Sequence, residues 1–134
     1  MGNYKFDIDI IEGEFAERMI KELLEGQRGT IEVKRDFKVT ETGNLALEYE
    51  YRGRKSGLAK TEATWWAIVL DGERFAHQMV ILIKTERLKE LGNQMYKKGY
   101  KVPGGDNKAS KLVLLPLPEI IQYKPDKPIQ PDFL

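Results

Sequence analysis

Two neighbouring segments of this chain alternate between apolar and polar residues, and this alternation limits the possible folds more than any other feature. Residues 30–37 and 45–52 both repeat with a period of two, which is the period of a half-buried β-strand. The segment between them, Thr-Glu-Thr-Gly-Asn at 40–44, has the composition of a turn. We therefore predict an antiparallel hairpin with its polar side chains on one face: Glu32, Lys34, Asp36, Glu48 and Glu50.

Other periodicities place further elements around this hairpin. Apolar residues recur every three or four positions over 12–25, which predicts a helix that Gly26 ends. The other predicted elements are a short strand at 4–10, a helix at 61–70, a strand within 74–84 covered on both faces, a helix from Thr85 to Leu91 and a strand at 112–115. The order predicts an α/β fold with a central mixed sheet flanked by helices. A single domain over 1–134, with an extended proline-rich arm at 116–134, fits this length.

The composition excludes several classes of site and location. The chain has no cysteine, which excludes disulfides, thiolate catalysis and sulfur-ligated zinc. Its one histidine, His77, excludes a multi-histidine metal site. Because no apolar run approaches about 20 residues and the N-terminus does not have the plan of a signal peptide, we expect no membrane partner and a cytoplasmic location.

Charge is unevenly distributed along the chain. Residues 1–27 carry seven acids and three bases, whereas residues 28–60 carry eight bases and five acids. Residues 92–112 carry five lysines and one acid. Such a pattern is compatible with a phosphate-attracting face beside a carboxylate cluster, and equally with solvated surface charge.

The predicted hairpin brings two carboxylates together. If paired positions sum to 84, Asp36 faces Glu48, Lys34 faces Glu50 and Glu32 faces Arg52, with directly opposed Cβ atoms about 5 Å apart. Two carboxylates at that distance repel each other unless a proton or a cation lies between them. One or two carboxylates, with water and phosphate in the remaining positions, form a normal Mg²⁺ site, and this ion can assist phosphodiester hydrolysis.

Several motifs resemble small phage-encoded proteins of the PD-(D/E)XK nuclease superfamily, and the resemblance spans about residues 12–120. The motifs are Ile-Glu-Val-Lys-Arg-Asp at 31–36, Thr-Gly-Asn-Leu-Ala-Leu-Glu-Tyr-Glu at 42–50, Ser-Gly-Leu-Ala-Lys-Thr-Glu-Ala-Thr-Trp-Trp at 56–66, and Gly-Gly-Asp-Asn-Lys-Ala-Ser at 104–110 before Leu-Val-Leu-Leu-Pro at 112–116. The resemblance implies a restriction-endonuclease-like core and DNA cleavage that depends on Mg²⁺ or Mn²⁺.

The resemblance also implies roles for individual residues. Glu14 matches the helix glutamate, Asp36 the strand aspartate and Glu48 the glutamate of the Glu-x-Lys motif, so these three carboxylates are the implied metal ligands. Position 50 carries Glu50 where the superfamily has the catalytic lysine. Lys34 is the nearest replacement for that lysine, and Lys60 is the other candidate.

A competing alignment takes Glu32-Val33-Lys34 itself as the Glu-x-Lys motif, with Asp7 or Asp9 as the aspartate. We rank it second, because the first helix would then separate two carboxylates that normally lie on neighbouring strands.

Basic side chains are the candidate DNA contacts, and we expect them to contact the DNA backbone without reading the base sequence. They are Arg52, Arg54, Lys55, Lys60, Lys97, Lys98, Lys101 and Lys108. A nucleotide cofactor is not expected, because Lys108 follows Asn107 and leads into a strand, whereas a phosphate-binding loop needs Gly-Lys-Ser/Thr entering a helix. The alternatives to a nuclease are a non-catalytic DNA-binding relative and a protein–protein interaction module, with a second copy of the chain as a candidate partner.

Overall fold

A computed structural model describes residues 14, 17–18, 20–26, 29–35, 39–70 and 78–122. Residues 14, 17–18 and 20–24 are helical and form α1. The other elements are β1 (Ile31–Arg35), α2 (Val39–Thr42), β2 (Asn44–Tyr51), β3 (Arg54–Lys55), β4 (Trp65–Leu70), β5 (Met79–Lys84), α3 (Thr85–Lys97), β6 (Lys101–Gly104), β7 (Ser110–Pro116) and α4 (Leu117–Ile121). The predicted strand at 4–10, Asp36 and His77 lie outside the described residues.

The strands of the described segments form two sheets. The first has the order β1-β4-β5, with β1 parallel to β4 and β4 antiparallel to β5. The second has the order β3-β2-β7-β6 and all its pairs are antiparallel. Mixed and antiparallel sheets together with helices confirm the predicted α/β class.

The predicted hairpin is wrong, because its two strands lie in different sheets. β1 pairs in parallel with β4, whereas β2 pairs with β7. Residues 40–42 of the predicted turn instead belong to α2, whose first residue, Val39, is buried in the core. The N–H of Gly43 bonds to the Val39 carbonyl at 2.9 Å. The alternation correctly identifies two strands, but it records which face of a strand is buried and not which strand lies beside it.

The predicted helix at 61–70 is also wrong, since Trp65–Leu70 form strand β4. Trp66, Ile68 and Leu70 are buried, and the residues between them are only partly buried. This is a period of two, and aromatic and β-branched residues favour a strand.

The C-terminal half differs from the prediction mainly in its boundaries. The strand predicted within 74–84 is confirmed as β5, but it is not covered on both faces, because Val80 is 60% exposed. The helix that starts at Thr85 continues to Lys97, because Gly92 packs inside it against Leu58 instead of ending it. The segment 93–110, for which no helix or strand was predicted, contains β6, and the predicted extended arm begins with the helical turn α4.

One buried cluster joins both sheets to α3. Trp66, Ile68 and Leu70 come from β4, while β2 and β7 contribute side chains from the inner face of the second sheet. The described members of this cluster are Val39, Leu45, Leu47, Leu58, Trp66, Ile68, Leu70, Leu88, Leu91, Met95, Val113 and Leu115. Within the described ranges, no helix is long and apolar enough to cross a membrane.

Candidate functional site

Glu32 and Lys34 lie on the same face of β1, two residues apart. Their register partners on β4 are Trp66 and Ile68, whose side chains are buried in the core. Both charged side chains are therefore on the core-facing side of β1, which is an edge strand among the described segments. Both are partly buried. The strand therefore places a carboxylate and an ammonium group side by side at the margin of the apolar core.

A hydroxyl group orients the Glu32 carboxylate. Thr61 donates a hydrogen bond of 2.6 Å from Oγ1 to Glu32 Oε2, and the same Oγ1 accepts the N–H of Ala63 at 3.2 Å. Glu32 Oε1 has no partner among the described residues, and Lys34 has neither an ion pair nor a hydrogen bond there. One carboxylate oxygen and the lysine ammonium group are thus available to a ligand.

Glu48 contacts the start of the same loop that ends at Thr61. The Ser56 N–H bonds to the Tyr49 carbonyl at 3.2 Å, and Gly57 packs directly on the Glu48 backbone. The Thr61 N–H bonds to the Gly57 carbonyl at 2.9 Å. The segment 56–61, which we call the bridging loop, therefore connects Glu48 on the second sheet with Glu32 on the first.

The bridging loop depends on the absence of a side chain at Gly57. A Cβ atom there would overlap the Glu48 carbonyl oxygen and lie 3.1 Å from Glu48 Cβ, whereas at Gly53 no atom lies within 4 Å of the Cβ position. Both glycines have a positive φ. Gly53→Ala is expected to cost about 1 kcal/mol from backbone strain alone, and Gly57→Ala clearly more. Urea unfolding measures both losses, and equal losses would show that the bridging loop does not need this close approach.

The carboxylates of Glu48 and Glu50 do not share a face of β2. The Ser110 hydroxyl donates to Glu48 Oε1 at 2.5 Å, whereas Glu50 Oε2 lies 2.7 Å from Lys111 Nζ. Ser110 and Lys111 are consecutive in β7 and so point to opposite faces. A register shift between Glu48 and Glu50 produces this arrangement. The hydrogen bond to Glu50 raises the pKa of Lys111, so Lys111 stays charged and paired.

The other residues predicted for the site lie in several places. Glu14 is exposed on α1, and Lys60 is exposed in the bridging loop. Lys34 does not face Glu50, and Glu32 does not face Arg52, because β1 and β2 are not paired. Asp36, Asp7 and Asp9 are outside the described residues. Within the part of the chain that the structure describes, no group of three acidic, histidine or cysteine side chains could hold a metal ion.

The predicted DNA-contacting residues are all exposed, and two of them, Lys55 and Lys101, line one groove. This groove runs between α3 and the second sheet as two adjoining depressions of about 450 and 350 Å³. Tyr49 and Tyr96 line both depressions, with ring centroids 5.6 Å apart and an edge-to-face angle of 88°. Four lysines surround them: Lys55, Lys89, Lys101 and Lys111. We call this feature the tyrosine groove.

Four residues that line the tyrosine groove were not predicted as functional: Tyr49, Tyr96, Lys89 and Lys111. A signal for two of them was present, since Lys89, Asn93 and Tyr96 follow the spacing of one helix face. Ending the predicted helix at Leu91 concealed this spacing.

No protein-family model matches this chain, and neither a curated protein nor a solved structure matches it. The resemblance to the PD-(D/E)XK superfamily therefore stays a prediction.

Proposed function

We propose that this chain is a metal-dependent nuclease that cleaves DNA phosphodiester bonds, with Glu32-Val33-Lys34 as its Glu-x-Lys motif. The observation that carries the proposal is the shared face of Glu32 and Lys34 on β1, with Glu32 oriented by the Thr61 hydroxyl. A carboxylate that binds a cation and a lysine that assists the attacking water must act on one phosphate, so they need a common face.

This assignment reverses the order of the two alignments considered for the sequence. The first alignment needed Asp36 and Glu48 to face each other across a hairpin, and β1 and β2 are not paired. It also placed position 50 beside Glu48, but the register shift in β2 separates these two side chains. The second alignment needs the Glu32–Lys34 spacing within β1 together with one further carboxylate. Asp7 or Asp9 would then supply the further carboxylate.

Glu32 is the described carboxylate that would bind Mg²⁺ or Mn²⁺, whereas Oε1 of Glu48 already accepts a hydrogen bond from the Ser110 hydroxyl. Carboxylate oxygens are the ligands that these hard cations prefer, and Glu32 Oε1 has no competing partner among the described residues. The bound ion would neutralise charge on the phosphate and help to form hydroxide. Lys34 would orient the attacking water and stabilise charge on the phosphate, and Thr61 would hold the Glu32 carboxylate in place.

A buried donor on the register partner of Glu32 also supports a ligand site in this region. The indole Nε1 of Trp66 is buried and has no hydrogen-bond partner among the described residues. Trp66 is the register partner of Glu32 on the same side of the sheet. Because a buried donor without a partner is costly, a water molecule or ligand atom is expected close to this position.

Cleavage of DNA by the purified protein tests the proposal directly. Single-stranded, duplex and branched DNA are incubated with Mg²⁺, with Mn²⁺ or with EDTA, and the products are separated by gel electrophoresis. We expect cleavage with either metal and none with EDTA, and Glu32→Gln should abolish it while Glu62→Gln, an exposed acid of the same loop region, should not. Binding of DNA without cleavage under any condition would favour the non-catalytic alternative.

A further inference from the structure

The tyrosine groove combines aromatic side chains with unpaired cations. Tyr96 is 45% exposed on α3, and its ring forms the wall shared by both depressions. Lys55, Lys89 and Lys101 have no ion pair among the described residues, and Lys111 pairs with Glu50. Among the residues that the structure describes, no acidic one lines either depression. The groove therefore has a net positive charge and a flat apolar surface within it.

These two properties together select a ligand class. Phosphate groups alone would satisfy the lysines, but they would leave the aromatic surface unused. An unpaired nucleic-acid base provides a flat face that stacks on tyrosine, and its backbone supplies the negative charge. The bases of a duplex are already stacked on each other, so they cannot cover Tyr96.

Lys101 indicates how such a segment would enter. Its Nζ lies 4.2 Å from the centroid of the Tyr96 ring, so an ammonium group now covers one face of that ring. Lys101 is exposed and its side chain is flexible, so a base can displace it from the ring while the ammonium group moves to a neighbouring phosphate.

We propose that the tyrosine groove binds a single-stranded segment of DNA, with one base stacked on Tyr96 and phosphates at Lys55, Lys89 and Lys101. The choice of DNA as the ligand rests on the proposed function. The inference adds that the preferred substrate contains a single-stranded region. The groove would hold the single-stranded region, while the phosphate to be cleaved would lie at Glu32 and Lys34.

Fluorescence anisotropy in EDTA tests this inference without cleavage. The probes are a labelled oligothymidylate, a blunt duplex of the same length and an oligouridylate. We expect the DNA single strand to bind more tightly than the duplex, and no more weakly than the RNA. Tyr96→Ala should weaken single-strand binding by at least about fivefold. Tyr96→Phe should bind the single strand as tightly as the wild type does, because phenylalanine retains the stacking face. Tyr100→Ala is the matched control, since Tyr100 is 49% exposed but lines neither depression.

A lysine variant provides a second test, which stays valid if Tyr96→Ala does not fold correctly. Lys89→Gln should lower the single-strand affinity and reduce the slope of log K against log salt by about 0.7, whereas Lys21→Gln on α1 should do neither.

Unchanged affinity in Tyr96→Ala, an equal loss in Tyr96→Phe, tighter binding to the duplex or tighter binding to RNA would each overturn the inference. If the wild type cleaves DNA but Tyr96→Ala binds normally, the inference fails and the proposed function stands. If Tyr96-dependent binding occurs but no metal supports cleavage, the groove stands and the nuclease proposal fails.

Discussion

Replacing Lys34 with alanine is expected to reduce metal-dependent DNA cleavage by at least about 100-fold, the usual effect of removing one group that stabilises charge in the transition state. DNA affinity should change little, because one phosphate-facing charge among many contributes only a small part of the binding free energy. The physical reason is position. Lys34 shares the face of Glu32 on β1, and its ammonium group has neither an ion pair nor a hydrogen bond among the described residues.

Lys60→Ala provides the comparison for this prediction. Lys60 is exposed in the bridging loop one residue before Thr61, so it is the other lysine that could approach the site. A side chain that reaches in from the loop must lose more conformational freedom than one held on a strand, so we expect only a small effect on cleavage. Normal cleavage by Lys34→Ala together with loss in Lys60→Ala would assign the catalytic lysine to the loop. Melting temperatures of both variants show whether either loss reflects unfolding instead.

The alternation of residues 30–37 and 45–52 predicts two strands correctly, but it does not determine which strands pair with them. Lys34 lies beside Ile68 in a parallel pair, and Glu48 lies beside Leu112. These partners are distant in the sequence, and the burial of a strand face does not determine which distant strand completes the sheet. The turn-like composition of 40–44 favoured the nearest partner, but residues 39–42 form a helical turn whose first residue, Val39, is buried.

The error at Trp65–Leu70 has a different origin. The whole segment is apolar, and a short apolar run does not distinguish a strand from a helix by periodicity alone. Its aromatic and β-branched residues favoured the strand, and the structure has Trp66 and Ile68 on the core side. Tertiary pairing with β1 and β5 satisfies the backbone of this segment in the interior.

The candidate site was present in the sequence but ranked second. Glu32 and Lys34 have the required spacing, and this spacing on a strand already implies a common face. The alignment that ranked above the one that uses them relied on the predicted hairpin, and that hairpin does not form. The separation of Glu48 from Glu50 depends on a register shift in β2, and nothing in the local sequence marks that shift.

Divalent metal is expected to raise the melting temperature of the wild-type protein. A ligand that binds only the folded state adds about 2.7 kcal/mol to the free energy of unfolding at a hundredfold excess over its dissociation constant. For a chain of 134 residues such a gain corresponds to a rise of several degrees. Differential scanning fluorimetry with Mg²⁺, Mn²⁺ and EDTA measures this rise independently of cleavage.

Glu32→Gln should abolish this rise while changing little else. The glutamine side chain keeps an oxygen that accepts the Thr61 hydrogen bond, so the variant removes the charge and retains the local contact. Glu62→Gln changes an exposed acid that directly follows Thr61, and this variant should keep the full rise in melting temperature. Asp36→Asn separates the two alignments, because only the first one makes Asp36 a metal ligand. A rise that survives in Glu32→Gln but disappears in Asp36→Asn would return the metal to Asp36 and remove Glu32-Val33-Lys34 from the proposed mechanism.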